Sequence, residues 1–134
     1  MNEMTADTLT ALALGEDYPE FREAARRLCE DFPGSYWQKL DKEEGYPIEF
    51  FNAVTEAGFL GALVPEEYGG SGLPLRAAAV ILEEICASGC SAIVCHAQMY
   101  IMGTLLRHGN AEQKARYLPG IAAGEIRLQA FGVT

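Results

Sequence analysis

The sequence has 134 residues, and 49% of them are hydrophobic, so one domain with a buried core is expected and disorder is not. Ten basic against nineteen acidic residues give a net charge of −9, which repels phosphate backbones and argues against nucleic acid as a partner. No stretch approaches the ~18 uninterrupted apolar residues of a membrane span, and no basic-then-apolar secretory signal opens the sequence.

The N-terminal part is expected to form a leader and three short helices. Residues 1–16 lack strong periodicity and are interpreted as a flexible leader. An acidic cap at Asp17, a proline in the first turn and a glutamate at Glu20 predict a helix to about residue 30. Two more helices are predicted over 36–43 and from Pro47, at the first helical position, to about residue 57.

The central part combines a buried connection, a glycine-rich loop and a fourth helix. Residues 59–64 are short and apolar, and three of the four residues at 69–72 are glycines, which permit backbone turns closed to other residues. The loop lacks the G-x-x-x-x-G-K-(S/T) pattern, so a structural turn is favoured over phosphate binding. A helix is predicted over 74–88. Its apolar stripe is predicted to consist of Leu75, Ala79, Leu82 and Cys86.

The fifth predicted helix is apolar nearly all round. Ser91 is expected to cap it, and it runs to about Arg107. A helix of this composition is either buried or lines an apolar pocket.

A last helix and a strand complete the predicted fold. Asn110 with Gln113 indicates a capping box, and Gly124 is expected to close that helix near residue 123. A strand is then predicted over 127–134. The fold class predicted is all-α, an orthogonal helical bundle of about six helices with one truncated terminal β-strand.

Two motifs carry a resemblance to a known family. The first is Val64-Pro-Glu-Glu-Tyr-Gly-Gly-Ser-Gly-Leu73, and the second is Gly109-Asn-Ala-Glu-Gln-Lys-Ala-Arg-Tyr-Leu-Pro-Gly-Ile-Ala-Ala-Gly-Glu125, followed by a strand ending in Val-Thr. With the Glu83-Glu84 pair between them, residues 17–134 resemble the N-terminal helical domain of acyl-CoA dehydrogenases. The resemblance implies a helical domain over 17–126, and over 127–134 the first strand of a middle β-domain that the sequence lacks.

The resemblance also implies an activity. Family members remove a proton α, and a hydride β, to a thioester carbonyl, with FAD as hydride acceptor and an electron-transferring flavoprotein as the next carrier. They are tetramers or dimers, and their catalytic glutamate comes from a later helical domain. We therefore interpret the 134 residues as a fragment, expressed domain or truncated product without a catalytic residue of its own, and expect no turnover of acyl-CoA from them alone.

Three residues of the terminal strand are assigned to the flavin by the resemblance: Phe131, Val133 and Thr134. In the family, backbone amides and the threonine hydroxyl at this place face the pyrimidine side of the flavin ring. Flavin reduction puts negative charge near N1 and C2=O, and aimed donors stabilise that charge. From the residues alone, an ordinary half-buried strand is the alternative.

The inner face of the long apolar helix bounds the acyl cavity in the family, which assigns Cys95, His96, Met99, Tyr100 and Gly103 to the substrate pocket. Methionine and tyrosine suit a cavity that accepts a flexible tail. The imidazole and the phenol suggest a polar or short acyl group. Plain core packing of these residues is the alternative.

Four carboxylates invite the role of general base: Glu66, Glu67, Glu83 and Glu84. They are interpreted instead as surface, loop or salt-bridge charges, because the family takes its base from elsewhere. Two other functions stay open, namely a stand-alone helical interaction module without cofactor, and the N-terminal domain of a related flavin monooxygenase or oxidase.

The four cysteines form no C-x-x-C pair. A zinc site formed by Cys86, Cys90, Cys95 and His96 is the alternative. In structural zinc sites, however, the ligands usually come as two closely spaced pairs that lie far apart in the sequence. Free buried thiols are favoured, and with no secretory signal they suit a reducing cytoplasm.

Overall fold

The computed structural model describes residues 17–128, 130 and 132, and this part of the chain forms six α-helices joined by short connections. Two short 3₁₀ turns lie between the third and fourth helices, at Phe59–Gly61 and Glu66–Tyr68. The all-α prediction is confirmed. The helices are α1 Pro19–Glu30, α2 Gly34–Glu43, α3 Ile48–Glu56, α4 Leu75–Ala87, α5 Ile93–His108 and α6 Ala111–Ala122.

Only half of the positions of the predicted terminal strand lie within the described residues. Arg127, Leu128, Ala130 and Gly132 are not in a strand, and positions 129, 131, 133 and 134 are not described. A strand needs a hydrogen-bonded neighbour, and the described residues of this helical domain include none.

Three predicted helix starts differ from the structure. Asp17 does not cap α1, because its carboxylate accepts hydrogen bonds from the Arg22 guanidinium instead, at 2.7 and 2.9 Å. Pro47 lies just before α3 rather than in its first turn. Ser91 does not cap α5 either, since Ala92 occupies the N-cap position and no side chain bonds there.

The capping box of α6 is confirmed. The Asn110 side chain accepts from the Gln113 amide at 2.8 Å, and the Gln113 side chain accepts from the Asn110 amide at 2.9 Å. These bonds satisfy amides that have no partner within the helix. The other end is also as predicted, because Gly124 has φ +73°, the left-handed conformation that terminates many helices.

The predicted apolar stripe of α4 is wrong at three of its four positions. Leu75 is 74% exposed, and Ala79 and Cys86 are exposed as well. The buried face lies on another side of the helix. It consists of Ala77, Ala78, Val80, Ile81, Glu84 and Ile85.

An ion-pair cluster explains how that face holds a carboxylate. Glu84 is only 8% exposed, and it contacts Arg22 at 3.4 Å and Arg26 at 3.0 Å, both on α1. Glu83 pairs with Arg22 at 2.7 Å. A buried charge is tolerated when such partners surround it, so α1 and α4 pack against each other with this carboxylate between them. Glu83 and Glu84 are therefore salt-bridge partners, as expected.

The glycine-rich loop folds back onto the connection that precedes it. Ser71 donates its amide to the Gly61 carbonyl at 3.1 Å, and Gly72 donates to the Val64 carbonyl at 2.8 Å. A Cβ at Gly70 would collide with Val64 and with the Gly61 carbonyl. These backbone contacts support the structural role predicted for the loop.

Two groups of buried side chains form the core, and α5 contributes to both. The larger contains Phe50 and Phe51 of α3 with Ile81 and Ile85 of α4, and Cys95 of α5. The smaller group lies between α5 and α6. It consists of Val64, Met102, Leu118 and Ile121. The helix predicted to be buried or to line a pocket therefore contributes to both groups of the core.

None of the helices in the described part is long and apolar enough to cross a bilayer. The longest, α5, has 16 residues, fewer than the ~20 that a spanning helix needs.

Candidate functional site

An apolar cavity lies between the C-terminal half of α5, the middle of α6 and the chain that follows α6. Its volume is about 650 Å³. It is lined by Tyr100, Ile101, Thr104, Leu105, Tyr117, Leu128 and Ala130. The Thr104 hydroxyl donates to the Tyr100 carbonyl at 2.9 Å, so one of the few polar side chains here is engaged by its own helix.

The five predicted pocket residues lie on two different faces of α5. Cys95 is fully buried and Met99 is 4% exposed, and both belong to the larger core group. Tyr100 lines the cavity, and the exposed His96 ring meets the Tyr100 ring edge-on with centroids 5.2 Å apart. Gly103 has open space where a Cβ would be. Of the five predicted residues, only Tyr100 lines the cavity, and His96 reaches it only through its contact with the Tyr100 ring. The pocket role of the five remains a prediction.

Gln98 is a candidate site residue to which the sequence assigned no role. It is fully buried on α5, and its side-chain nitrogen donates to the Ile126 carbonyl at 2.6 Å. Its side-chain oxygen accepts from the Leu128 amide at 3.0 Å. A glutamine inside an apolar helix was the only signal, and nothing in the sequence identified partners about thirty residues away.

A second contact holds the same short segment from the side of α3. The Arg127 guanidinium lies over the Phe51 ring, 4.1 Å from its centroid, and 5.6 Å from that of Tyr46. Arginine over an aromatic face is favourable by about 0.5–1 kcal/mol when exposed, and by more when desolvated. Ile126 is fixed as well, because its amide donates to the Gly120 carbonyl at 3.0 Å.

The three residues assigned to the flavin, Phe131, Val133 and Thr134, lie outside the described residues. What the structure describes is the segment from Ile126 to Leu128 that leads to them, beside the apolar cavity.

The thiols are buried except for that of Cys86. Burial raises the pKa of Cys29 to about 12 and that of Cys95 to about 12. The Cys90 thiol donates to the Cys29 carbonyl at 3.8 Å. Within the described part of the chain, no group of three or more His, Cys, Asp and Glu side chains is placed to hold a metal ion, so Cys86, Cys90, Cys95 and His96 do not form the alternative zinc site.

Comparison with known proteins gives one family. The model of the acyl-CoA dehydrogenase N-terminal domain matches residues 15–125. The acyl-CoA dehydrogenase FadE12 of Mycobacterium tuberculosis is 30% identical over 95% of this chain and 33% of its own length. A 3-(aryl)acrylate reductase of Clostridium sporogenes is 36% identical over 87% of this chain and 32% of its own length.

A solved structure shares the fold. It comes from work on the electron transferring flavoprotein of Acidaminococcus fermentans and flavin-based electron bifurcation. The match covers 83% of this chain and 30% of the chain in that structure, with a TM-score of 0.70 and 29% sequence identity. The chain spans about a third of the length of the curated relatives given above. From the matched residues 15–125, the chain belongs to the acyl-CoA dehydrogenase family and corresponds to its N-terminal domain.

Proposed function

We propose that this chain is the part of an FAD-dependent acyl-CoA dehydrogenase that helps to form the acyl pocket and the flavin site. The observation that carries the proposal is the apolar cavity beside the segment Ile126–Leu128, in a domain of this family. The same helix, α5, contributes to the cavity wall and holds that segment.

The cavity suits the hydrocarbon part of an acyl-CoA thioester. Its volume of about 650 Å³ is within the ~300–1,000 Å³ of small-molecule sites. Each buried methylene contributes about 0.8 kcal/mol, and a wall made largely of apolar side chains has few polar groups to desolvate. His96 and Gly103 lie on the same side of α5 as Tyr100, where the imidazole favours a short or polar acyl end.

The flavin proposal rests on the donors that follow Leu128. By resemblance to the family, the backbone amides of Phe131 and Val133 and the Thr134 hydroxyl are proposed as hydrogen-bond donors to the pyrimidine edge of FAD. Bound FAD would supply the hydride acceptor. The role of these residues is to orient the ring and to stabilise the negative charge that reduction places near N1 and C2=O.

No carboxylate of this chain is proposed as the base. Glu83 and Glu84 are committed to arginines, and Glu66 and Glu67 are exposed beside the glycine-rich loop. We therefore expect no turnover from the 134 residues alone. Acyl-CoA as substrate, an electron-transferring flavoprotein as acceptor, a homo-oligomeric full-length protein, a cytoplasmic location and the domain limits 17–126 and 127–134 belong to the same proposal.

A second candidate is the reverse chemistry, reduction of an aryl-substituted acrylate. It is supported by the relative named 3-(aryl)acrylate reductase and by two aromatic rings, Tyr100 and Tyr117, in the cavity wall. Reoxidation of the reduced flavin by an arylacrylate, without bleaching by any saturated acyl-CoA, would favour this candidate.

FAD binding tests the proposal. The full-length protein carrying this chain is expected to retain FAD, and Thr134→Val should weaken FAD affinity about fivefold, because one hydrogen bond of about 1 kcal/mol is lost. Thr10→Val, in the predicted leader, is the matched control and should leave the affinity unchanged. A colourless protein that takes up no FAD would contradict the proposal and favour the interaction module.

A further inference from the structure

Both polar atoms of the Gln98 carboxamide form hydrogen bonds with the same short stretch of backbone. Its nitrogen donates to the Ile126 carbonyl at 2.6 Å and its oxygen accepts from the Leu128 amide at 3.0 Å. The side chain has no exposed surface. A buried amide with both ends satisfied avoids the cost of about 1–3 kcal/mol for each unsatisfied polar group.

These two bonds have the pattern of a neighbouring parallel strand. In a parallel ladder, one residue donates to the carbonyl before its partner residue and accepts from the amide after it. Here the Gln98 side chain does both around Arg127. One side chain therefore fixes the register of this segment, because a slip of one residue would present the wrong groups to the carboxamide.

The Arg127 side chain makes the third contact. Its guanidinium lies 4.1 Å from the Phe51 ring centroid, on α3, whereas the flanking backbone groups bond to α5. Two helices therefore hold three consecutive residues through contacts of different chemistry. These contacts fix the path of the chain at Ile126–Leu128.

We infer that Gln98 is a positioning residue for the proposed flavin site. It sets the register of the chain at Ile126–Leu128, the segment that leads to the proposed flavin-binding residues Phe131, Val133 and Thr134. The inference rests on the proposed function. Gln98 itself does not touch the flavin, and it acts through the backbone that it holds. Because Tyr100 and Thr104 of the same helix line the cavity, α5 also fixes the acyl cavity relative to that backbone.

The first test measures how strongly Gln98 restrains the segment Ile126–Leu128. Gln98→Met removes both hydrogen bonds at similar volume. It is expected to increase the exchange rate of the Leu128 amide, and the rate of tryptic cleavage after Arg127, on the order of tenfold. Gln38→Met, an exposed glutamine on α2, is the matched control and should change neither rate. Unchanged rates in Gln98→Met would overturn the inference.

A second variant distinguishes loss of the hydrogen bonds from loss of folding. Gln98→Glu keeps the shape, and its protonated carboxyl can donate to the Ile126 carbonyl while accepting from Leu128. The ionised form cannot donate. Cleavage after Arg127 should therefore be slow at low pH and fast at high pH, with a thermal unfolding midpoint measured at each pH to verify folding. The cleavage rates of folded Gln98→Glu and of folded wild type are compared at each pH. The same pH dependence in both proteins would contradict the inference.

The last test uses the flavin in the full-length protein. Gln98→Met is expected to weaken FAD affinity at least fivefold and to shift the visible spectrum of the bound flavin, while Gln98→Glu recovers the wild-type spectrum at low pH. If Gln98→Met releases the segment in the first test but leaves the FAD affinity and the flavin spectrum unchanged, the positioning role is overturned. The proposed function is not affected by that result. A wild-type protein without FAD would instead contradict the proposed function, and the inference that rests on it.

Discussion

At the scale of single residues, Arg22 is the centre of the contacts between α1 and α4. It reaches Asp17, Glu83 and Glu84, and its side chain is only 18% exposed. Arg27 differs, because it is 73% exposed and its ion pair is with Glu23, four residues away on the same helix. Burial and the number of partners, rather than charge alone, distinguish the two arginines.

Arg22→Met is expected to reduce the free energy of unfolding by about 2 kcal/mol, because it leaves the buried Glu84 with fewer partners. Arg27→Met is the matched control and should change it by less than about 0.5 kcal/mol, the usual value for an exposed pair within a helix. Urea denaturation measures both. Equal effects of the two substitutions would show that the position of Arg22 has no special importance.

The same arginine predicts a pH dependence. Its hydrogen bonds and charge hold the pKa of Asp17 below the usual range for an aspartate. A carboxyl whose pKa is lower in the folded state stabilises the fold above its unfolded pKa, and this contribution is lost as the pH falls through the folded value.

Unfolding measured between about pH 6 and pH 2 should therefore show a loss of stability below about pH 4 that is smaller in Asp17→Asn. In the Arg22→Met background, Asp17→Asn should have a much smaller effect on the pH profile, because only the longer contact of Asp17 with Arg76, at 3.8 Å, remains. If the full effect of Asp17→Asn persists without Arg22, the shift has another cause.

The thiols give a prediction about reactivity. Cys86 is exposed, whereas Cys29 and Cys95 are buried with pKa values raised to about 12. Because the thiolate is the nucleophile, iodoacetamide at about pH 8 should modify Cys86 first, and the buried thiols only on unfolding. Mass spectrometry of peptides at successive times measures this order. Rapid modification of Cys95 in the folded protein would contradict the buried position of α5.

At the scale of elements, the sequence predicted best where the signal is local. The capping box of α6 needs only Asn110 and Gln113, three residues apart, and both bonds form. The Asp17 cap of α1 followed the same rule, but the residue is bonded to Arg22. The competing partner is five residues away and also bonds Glu83 and Glu84 on α4, so capping rules could not exclude it.

Asn110→Ala should destabilise the protein by about 1 kcal/mol, because an amide of the first turn of α6 loses its acceptor. Asn52→Ala, an exposed substitution inside α3, is the matched control, and alanine's higher helix propensity should make it neutral or slightly stabilising. Chemical denaturation compares the two variants. An effect of Asn110→Ala no larger than that of Asn52→Ala would mean that the capping box contributes little.

The buried face of α4 also differs from the predicted stripe because of contacts that are distant in the sequence. The helix is apolar around most of its circumference, so a stripe through Leu75 and Leu82 was as regular as the true buried face. The sequence interpretation of Glu83 and Glu84 as surface, loop or salt-bridge charges does not say on which side of the helix they lie. Glu84 is buried, because arginines of α1 neutralise it, and a partner 62 residues away in the sequence is invisible to periodicity.

At the scale of the whole molecule, the pocket residues predicted on α5 belong to two different faces of that helix. The family resemblance groups Cys95 and Met99 with His96, Tyr100 and Gly103, although the first two pack in the core. Tyr117 and Leu128 join the cavity only through tertiary packing, so no local pattern identified them. The same holds for Gln98, whose partners come from the chain beyond α6.

Anaerobic titration of the full-length protein with acyl-CoA thioesters, followed by flavin absorption, tests the central claim most directly. Saturable bleaching of the oxidised flavin band is expected. In Gly103→Leu, bleaching by longer acyl chains is expected to require higher concentrations, because the added side chain enters the open space at Gly103, about one helical turn from Tyr100. A protein with bound FAD that no acyl-CoA bleaches, or a Gly103→Leu variant with unaltered chain-length preference, would contradict the assignment of α5 to the acyl pocket.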